Sequence, residues 1–185
     1  ITSDGEGAVW EGITPPVVTD TASFLDAVRQ SGLVGLGGAG FPTSVKLSLR
    51  DPSMLETLVV NGAECEPYIT ADTRTMLDET DYIAKGIRLL KTYLNPKKCV
   101  IGIEKNKPEA IAAVKKAVGG DAEVLVLPSA YPQGGEKMLV YRATGRIIPE
   151  GKLPIDAGAV VINVTTLAAL AKFIETGMPL VEKCV

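Results

Sequence analysis

The sequence predicts an α/β protein built on a mainly parallel sheet of about four strands. Three observations carry that reading. Short runs rich in Val, Ile and Leu recur at 57–61, 99–104, 123–127 and 159–164. Segments with helical spacing of apolar residues separate them. Aromatic residues make up only 5% of a chain that is 46% hydrophobic, which suits aliphatic strands buried on both faces better than a sandwich core.

Along the chain, residues 1–20 are rich in Gly, Pro, Thr and acid and read as a linker or the tail of a preceding module; 21–185 reads as the α/β domain. A short helix is expected over 21–30, with Phe24, Leu25 and Val28 as its apolar stripe and Gly32 ending it. The strand over 57–61 ends at Gly62. A single long helix over 74–94 follows from the spacing of Met76, Leu77, Ile83, Ile87, Leu90 and Leu94. The strand over 99–104 leads to a helix over 108–118, opened by Pro108 and closed by Gly119 and Gly120. After the strand over 123–127 a helix is expected over 135–144, closed by Gly145, and after the last strand a helix over 167–175. At 185 residues the chain is long enough for one domain with a proper core.

Strands alternating with helices give a Rossmann-like three-layer domain, here preceded by a glycine-rich loop. Ligands of open parallel sheets bind beyond the C-terminal ends of the strands. The polar residues after each strand are therefore expected to converge: 61–66, 104–107, the Tyr131 loop and 163–166.

The glycine-rich loop is Gly35-Leu36-Gly37-Gly38-Ala39-Gly40, followed by Phe41, Pro42 and, at the next turn, Lys46. A tight turn needs one or two glycines; four in six residues let backbone N–H groups approach a ligand. A short helix is expected to start near Pro42, proline being favoured at the first helical position, and to point its positive end at an anion that Lys46 would also reach. Gly35, Gly37 and Gly40 match G-x-G-x-x-G, but a helix precedes them where the dinucleotide fingerprint requires a strand. The loop reads as a phosphate cradle of another nucleotide geometry.

Asn61-Gly62-Ala63-Glu64-Cys65-Glu66-Pro67 follows the first strand. Asn61 could bond a flavin or base edge and the acids could hold ribose hydroxyls; equally, the segment could be a solvated turn capping the next helix. Tyr131-Pro132-Gln133-Gly134-Gly135-Glu136-Lys137 is a second glycine-bearing turn into a helix. It could offer donors to an anion or be an ordinary loop with a favourable acid at the helix start. Asn163 ends the last strand as a ligand candidate, while Thr165 or Thr166 caps the helix beyond. The run 104–107 is expected in solvent at the sheet edge. Cys65, between two acids, reads as a packing residue, and Trp10 and Tyr68 as aromatics packed within the protein.

A net charge of −3 supplies no field for nucleic acid, and no apolar run is long enough to span a bilayer, so direct membrane insertion is not expected. The three cysteines form no C-x-x-C pair, which argues against a metal site or a self-contained iron–sulfur cluster. The chain has no histidine, so Ser-His-Asp chemistry is excluded and a cofactor is the natural agent for any hard step. The acidic, polar first residues do not resemble a signal peptide, which points to the cytoplasm. With no initial Met, the chain is expected to be an excised piece of a longer polypeptide.

Taken in order, GLGGAGFPTSVK, NGAECEP, YPQGGEK and INVTTL resemble the C component of the Rnf-type electron-transport complex and, more distantly, the flavin-bearing NADH-oxidising subunit of respiratory complex I. The resemblance covers roughly residues 30–176. It implies a non-covalent FMN that exchanges hydride with NAD(H) as substrate. It implies that Gly35, Gly37, Gly38 and Lys46 hold the FMN phosphate and nearby atoms, with Asn61, Glu64, Tyr131, Gly135, Glu136 and Asn163 also at the cofactor. Phe41 and Glu66 fall to the nicotinamide dinucleotide. The complex I relative carries acids where this chain has Ala63 and Lys137, and an asparagine where it has Ile162, so flavin potential or NADH affinity is expected to differ. Whole proteins of the Rnf type carry 4Fe–4S motifs beyond this region, so clusters are expected only in the full-length protein. The implied partners are the other subunits of the membrane complex, and ferredoxin indirectly; the implied location is the cytoplasmic face of the cell membrane. Two rival readings remain: a soluble relative serving a cobalamin or amino-acid reductase, and a docking domain that has lost its flavin.

Overall fold

The computed structural model describes residues 12–181 apart from Cys65 and Pro67, so the expectations for Trp10, Cys65 and the first eleven residues lie outside the described residues. Helix α1 (Thr21–Gln30) opens with a capping box in which Asp20 accepts from Ser23 N. Helix α2 (Thr43–Leu47) follows the glycine loop. Strand β1 (Thr57–Asn61), helices α3 (Ala71–Asp78) and α4 (Thr80–Leu94) and strand β2 (Lys98–Glu104) come next. Then follow α5 (Pro108–Val118), β3 (Glu123–Leu127), α6 (Glu136–Thr144), β4 (Ala159–Asn163) and α7 (Val164–Thr176). Short 3₁₀ turns at Pro52–Met54 and Pro154–Ala157 precede β1 and β4.

The four strands are all parallel, in the order β3-β2-β1-β4. The chain thus steps outward from β1 to β3, then returns past β1 to β4. Right-handed crossovers in opposite directions put their helices on opposite faces. Accordingly, Leu58, Val60, Ile101 and Ile162 share one core with Ile83, Ile87 and Leu90 of α4, Val114 of α5 and Leu167 of α7. Val59, Ala159 and Val161 point the other way, into a smaller core with Leu139 and Val140 of α6. This period-two division builds the three layers, each fully buried aliphatic side chain being worth about 1.5–3 kcal/mol.

Three expectations need correction. The helix expected over 74–94 is two helices, broken at Glu79, whose φ of −122° and ψ of 31° are not helical. Asp78, Glu79, Thr80 and Asp81 favour a helix end and a new first turn over an interior, and that preference outweighs the continuous apolar stripe. Pro42 stands at the N-cap of α2 and not at its first helical position. Strand β3 is not buried on both faces: it is an edge strand, with Val126 46% exposed.

Candidate nucleotide site at the strand-order reversal

The strand order reverses between β1 and β4, which opens a crevice at their C-terminal ends. Asn61 and Asn163 are the last residues of those strands and are paired in register. Asn61 Nδ2 donates to Gly134 O at 3.0 Å, and its Oδ1 accepts from Ala63 N at 3.0 Å, so it ties the segment after β1 to the loop before α6. Asn163 Nδ2 donates to Asp72 Oδ2 at 2.8 Å and its Oδ1 accepts from Thr166 N at 3.0 Å. Asn163 therefore caps α7, in place of the threonines expected to do so. An asparagine is the better cap because its carbonyl reaches the N3 amide from an extended backbone.

The glycine loop lies over this crevice. Its neck is closed by Gly35 N donating to Phe41 O at 2.8 Å and by a bridge between Val34 and Pro42. Leu36 N donates to Thr166 Oγ1 at 2.9 Å, and a Cβ on Gly37 would sit 3.5 Å from Asn163 Nδ2. Gly38 and Gly40 take φ of 113° and 61°, conformations that side chains resist. Lys46, on α2, pairs with Glu136, on the first turn of α6, at 2.6 Å. Beside them lies a cleft of about 740 Å³ lined by Phe41, Lys46, Arg50, Glu136, Ile155 and Val161, among others; it runs from the loop toward the start of β4, and neither Asn61 nor Asn163 lines it. Gly135, the N-cap of α6, adjoins Glu136.

Other expected residues lie differently. The Glu64 side chain is turned inward, only 4% exposed: it accepts from Asp72 N at 2.7 Å, from Thr73 Oγ1 at 2.5 Å and from Lys107 Nζ at 2.8 Å. Glu66 is exposed, and Tyr131, next to a cis bond to Pro132, is 84% exposed. Tyr68 is also wholly exposed, at a φ of 66°, and does not pack within the protein as expected. Nor is the 104–107 run solvated throughout: Lys107, its side chain 11% exposed, reaches Glu64 and, at 3.3 Å, Glu104. Two buried carboxylates need a counterion, and the buried lysine is that counterion. The segments after β1 and β2 thus meet through Glu64 and Lys107, those after β1 and β3 through Asn61 and Gly134.

Three further polar residues lie on the segments around the crevice. Asp72, half-buried, holds Asn163 and accepts from Thr165 Oγ1 at 2.6 Å; burial raises its carboxyl above the ordinary aspartate value, against those hydrogen bonds. Gln133 Nε2 and Thr43 Oγ1 are buried without a hydrogen-bond partner among the described residues. Gln133 lies inside the glycine-bearing turn before α6 and Thr43 directly after Phe41-Pro42; nothing in the sequence marks Asp72.

A volume of several hundred cubic ångströms with mixed apolar and charged walls suits a mononucleotide. The close-approach glycines and Lys46 suit its phosphate, and the buried Gln133 Nε2 and Thr43 Oγ1, unpaired among the described residues, leave polar groups for a ligand, so the donor set fits FMN. Among the described residues, no group of three or more Cys, Asp or Glu side chains is placed to hold a metal ion, and no helix is long and apolar enough to cross a membrane.

Similar proteins agree with this architecture. The chain is 48% identical over 161 residues to the C component of the proton-translocating ferredoxin:NAD(+) oxidoreductase complex of Clostridium ljungdahlii, covering 86% of this chain and 35% of that protein. It is 43% identical over 188 residues to the Na(+)-translocating counterpart of Acetobacterium woodii, covering 99% and 42%. Against the C component of the ion-translocating oxidoreductase complex of Pseudomonas aeruginosa it is 45% identical, over 87% of this chain and 21% of that one. The chain therefore spans well under half the length of these relatives. Among solved structures, the NAD+-reducing [NiFe]-hydrogenase in its air-oxidised state superposes with a TM-score of 0.73 at 25% identity, covering 86% of this chain and 31% of that one. The family model of the Nuo51 FMN-binding domain matches residues 28–172, from within α1 through the glycine loop and the crevice to α7, and the chain belongs to that family.

Proposed function

We propose that this chain is the flavin module of an ion-translocating ferredoxin:NAD+ oxidoreductase complex, holding FMN at the crevice between β1 and β4 and exchanging hydride with NAD(H). The observation that carries the reading is the seating of the glycine loop on Asn163 and Thr166, with Lys46 at its rim. The names of the relatives and the family's FMN-binding description support it.

In this reading Gly35, Gly37, Gly38 and Lys46 hold the FMN phosphate. Asn61 and Asn163, side by side at the strand ends, meet the ring system together with Tyr131, Gly135 and Glu136. Glu64 acts from behind, by fixing the start of α3 through Asp72 N. Phe41, 47% exposed, and Glu66 face the incoming dinucleotide. FMN supplies the hydride-accepting centre; the protein supplies proximity, stacking and charge, for which no histidine is needed. The working unit is the domain over 21–185, with 4Fe–4S clusters and the route to ferredoxin provided by the full-length protein and its partner subunits at the cytoplasmic face of the membrane.

Titration of FMN with the chain, followed by fluorescence quenching, tests the reading. Saturable quenching that Lys46→Ala weakens at least tenfold supports it, since a charge-assisted contact to phosphate is worth about 1.5–3 kcal/mol. NADH should then bleach the bound flavin. A folded chain that leaves FMN fluorescence unchanged overturns it.

A further inference from the structure

We propose that Asp72 is a positioning residue that sets the backbone of the glycine loop through Asn163 and Thr166. Its consequence for the cofactor rests on the flavin reading above; its geometry does not.

The hydrogen bonds run in one direction. Leu36 N–H donates to Thr166 Oγ1 at 2.9 Å. The Thr166 hydroxyl donates onward to Asn163 Oδ1 at 3.3 Å, beside the Thr166 N–H at 3.0 Å. The Asn163 amide nitrogen donates to Asp72 Oδ2 at 2.8 Å. A flipped Asn163 amide would set an NH₂ against the Thr166 N–H and a carbonyl oxygen against the Asp72 carboxylate. Both contacts would be repulsive, so Asp72 and α7 together permit one amide orientation. That orientation gives the Thr166 hydroxyl an acceptor for its hydrogen and leaves its lone pair for Leu36. Asp72 is itself immobilised. Its N–H is held by Glu64 at 2.7 Å and its other oxygen by Thr165 at 2.6 Å, with Thr75 bonded to Thr165 at 2.8 Å.

The relay ends where it matters for a ligand. Leu36 lies between Gly35 and Gly37, and Gly37 packs against Asn163 itself. Asp72 thereby links a helix outside the loop to the loop's own main chain, a task that neither the G-x-G pattern nor Lys46 performs. Chains of this kind polarise one another, so losing the terminal acceptor is felt along the whole run.

Two measurements on the chain test this. Site-resolved amide hydrogen exchange compares Leu36 with Gly62, whose N–H bonds to Gly102 O within the sheet. Asp72→Ala should speed exchange at Leu36 about tenfold and leave Gly62 unchanged. Thr166→Val, which removes only the hydroxyl, should do the same. FMN quenching then forms a cycle: Asp72→Ala should raise Kd about tenfold in the native background and have no further effect in Asn163→Ala. If Asp72→Ala melts the fold, Asp72→Leu keeps the volume while losing both acceptor oxygens, and exchange at Leu36 should again accelerate over the native chain while Gly62 stays unchanged. Unchanged exchange at Leu36, or equal acceleration at Leu36 and Gly62, overturns the relay. So does an undiminished effect of Asp72→Ala in Asn163→Ala. A native chain that binds no FMN refutes the flavin reading instead, and the exchange comparison still decides the relay.

Discussion

Asn61 and Asn163 are direct partners in the parallel pairing of β1 with β4, and their amides are committed to opposite walls of the crevice. Asn61 holds the loop before α6 through Gly134; Asn163 holds α3 through Asp72. One pair of side chains at the strand ends therefore fixes the width of the opening between the two helical layers.

Lys107 is the counterion of two buried carboxylates, Glu64 and Glu104. Lys107→Met should destabilise the fold by about 3 kcal/mol or more, because it strands both charges where water does not reach. Urea unfolding monitored by circular dichroism measures this; a shift of the midpoint equivalent to less than about 1 kcal/mol would contradict the assignment.

Gly86 sits where α4 crosses α7. A Cβ there would meet the Leu167 side chain at 2.7 Å and its carbonyl oxygen at 2.9 Å. Alanine improves helix propensity by about 1 kcal/mol, but backbone against backbone cannot repack. Gly86→Ala should lower stability by a net of about 1–2 kcal/mol, seen as a drop in the thermal midpoint.

Glu56 bonds Arg146, which also donates to Ala157 O at 3.1 Å and so clasps the entry to β4. The hydrogen bond and charge of Arg146, with Lys97 beyond, hold the Glu56 carboxyl below its ordinary 4.5. A depressed carboxylate contributes stability that is present above 4.5 and is lost as pH falls through the folded value. Glu56→Gln should therefore be less stable than the native chain at neutral pH, and the two should converge in acid. A difference that persists unchanged below about pH 3 would exclude the ion pair as its source.

Glu66 is exposed on the segment after β1. In a flavin-loaded chain, Glu66→Gln should raise the NADH concentration for half-maximal bleaching about 5- to 10-fold, from loss of one charge-assisted bond to a ribose hydroxyl. The FMN dissociation constant should change less than about twofold. Unaltered NADH kinetics would remove Glu66 from the dinucleotide side.

The layers and the crevice were legible because they rest on local pattern. Leu58 and Val60 alternate with Val59, and each strand beside the crevice ends in a polar residue that its own sequence announces. What was not legible depends on distance. Nothing near Lys107 says that it will be buried, since its partner Glu64 is on another strand's loop. Asp72 falls before the helix expected from 74, where nothing in the sequence marks it, and only the fold puts Asn163 and Thr165 against it. The break at Glu79 was hidden for the converse reason: a continuous apolar stripe masks a local preference of four polar residues to end one helix and begin another.

The pairing of β1 with β4 also sets an order of events. Leu36 and Thr166, 130 residues apart in sequence, meet only after β4 has docked beside β1. Loop closure over such a span is the slow, non-local part of assembling a parallel sheet. A chain emerging during synthesis carries its glycine loop long before it has the seat for that loop. In the flavin reading proposed above, cofactor capture is deferred to the last stage of folding, and a loaded site certifies that the sheet is complete.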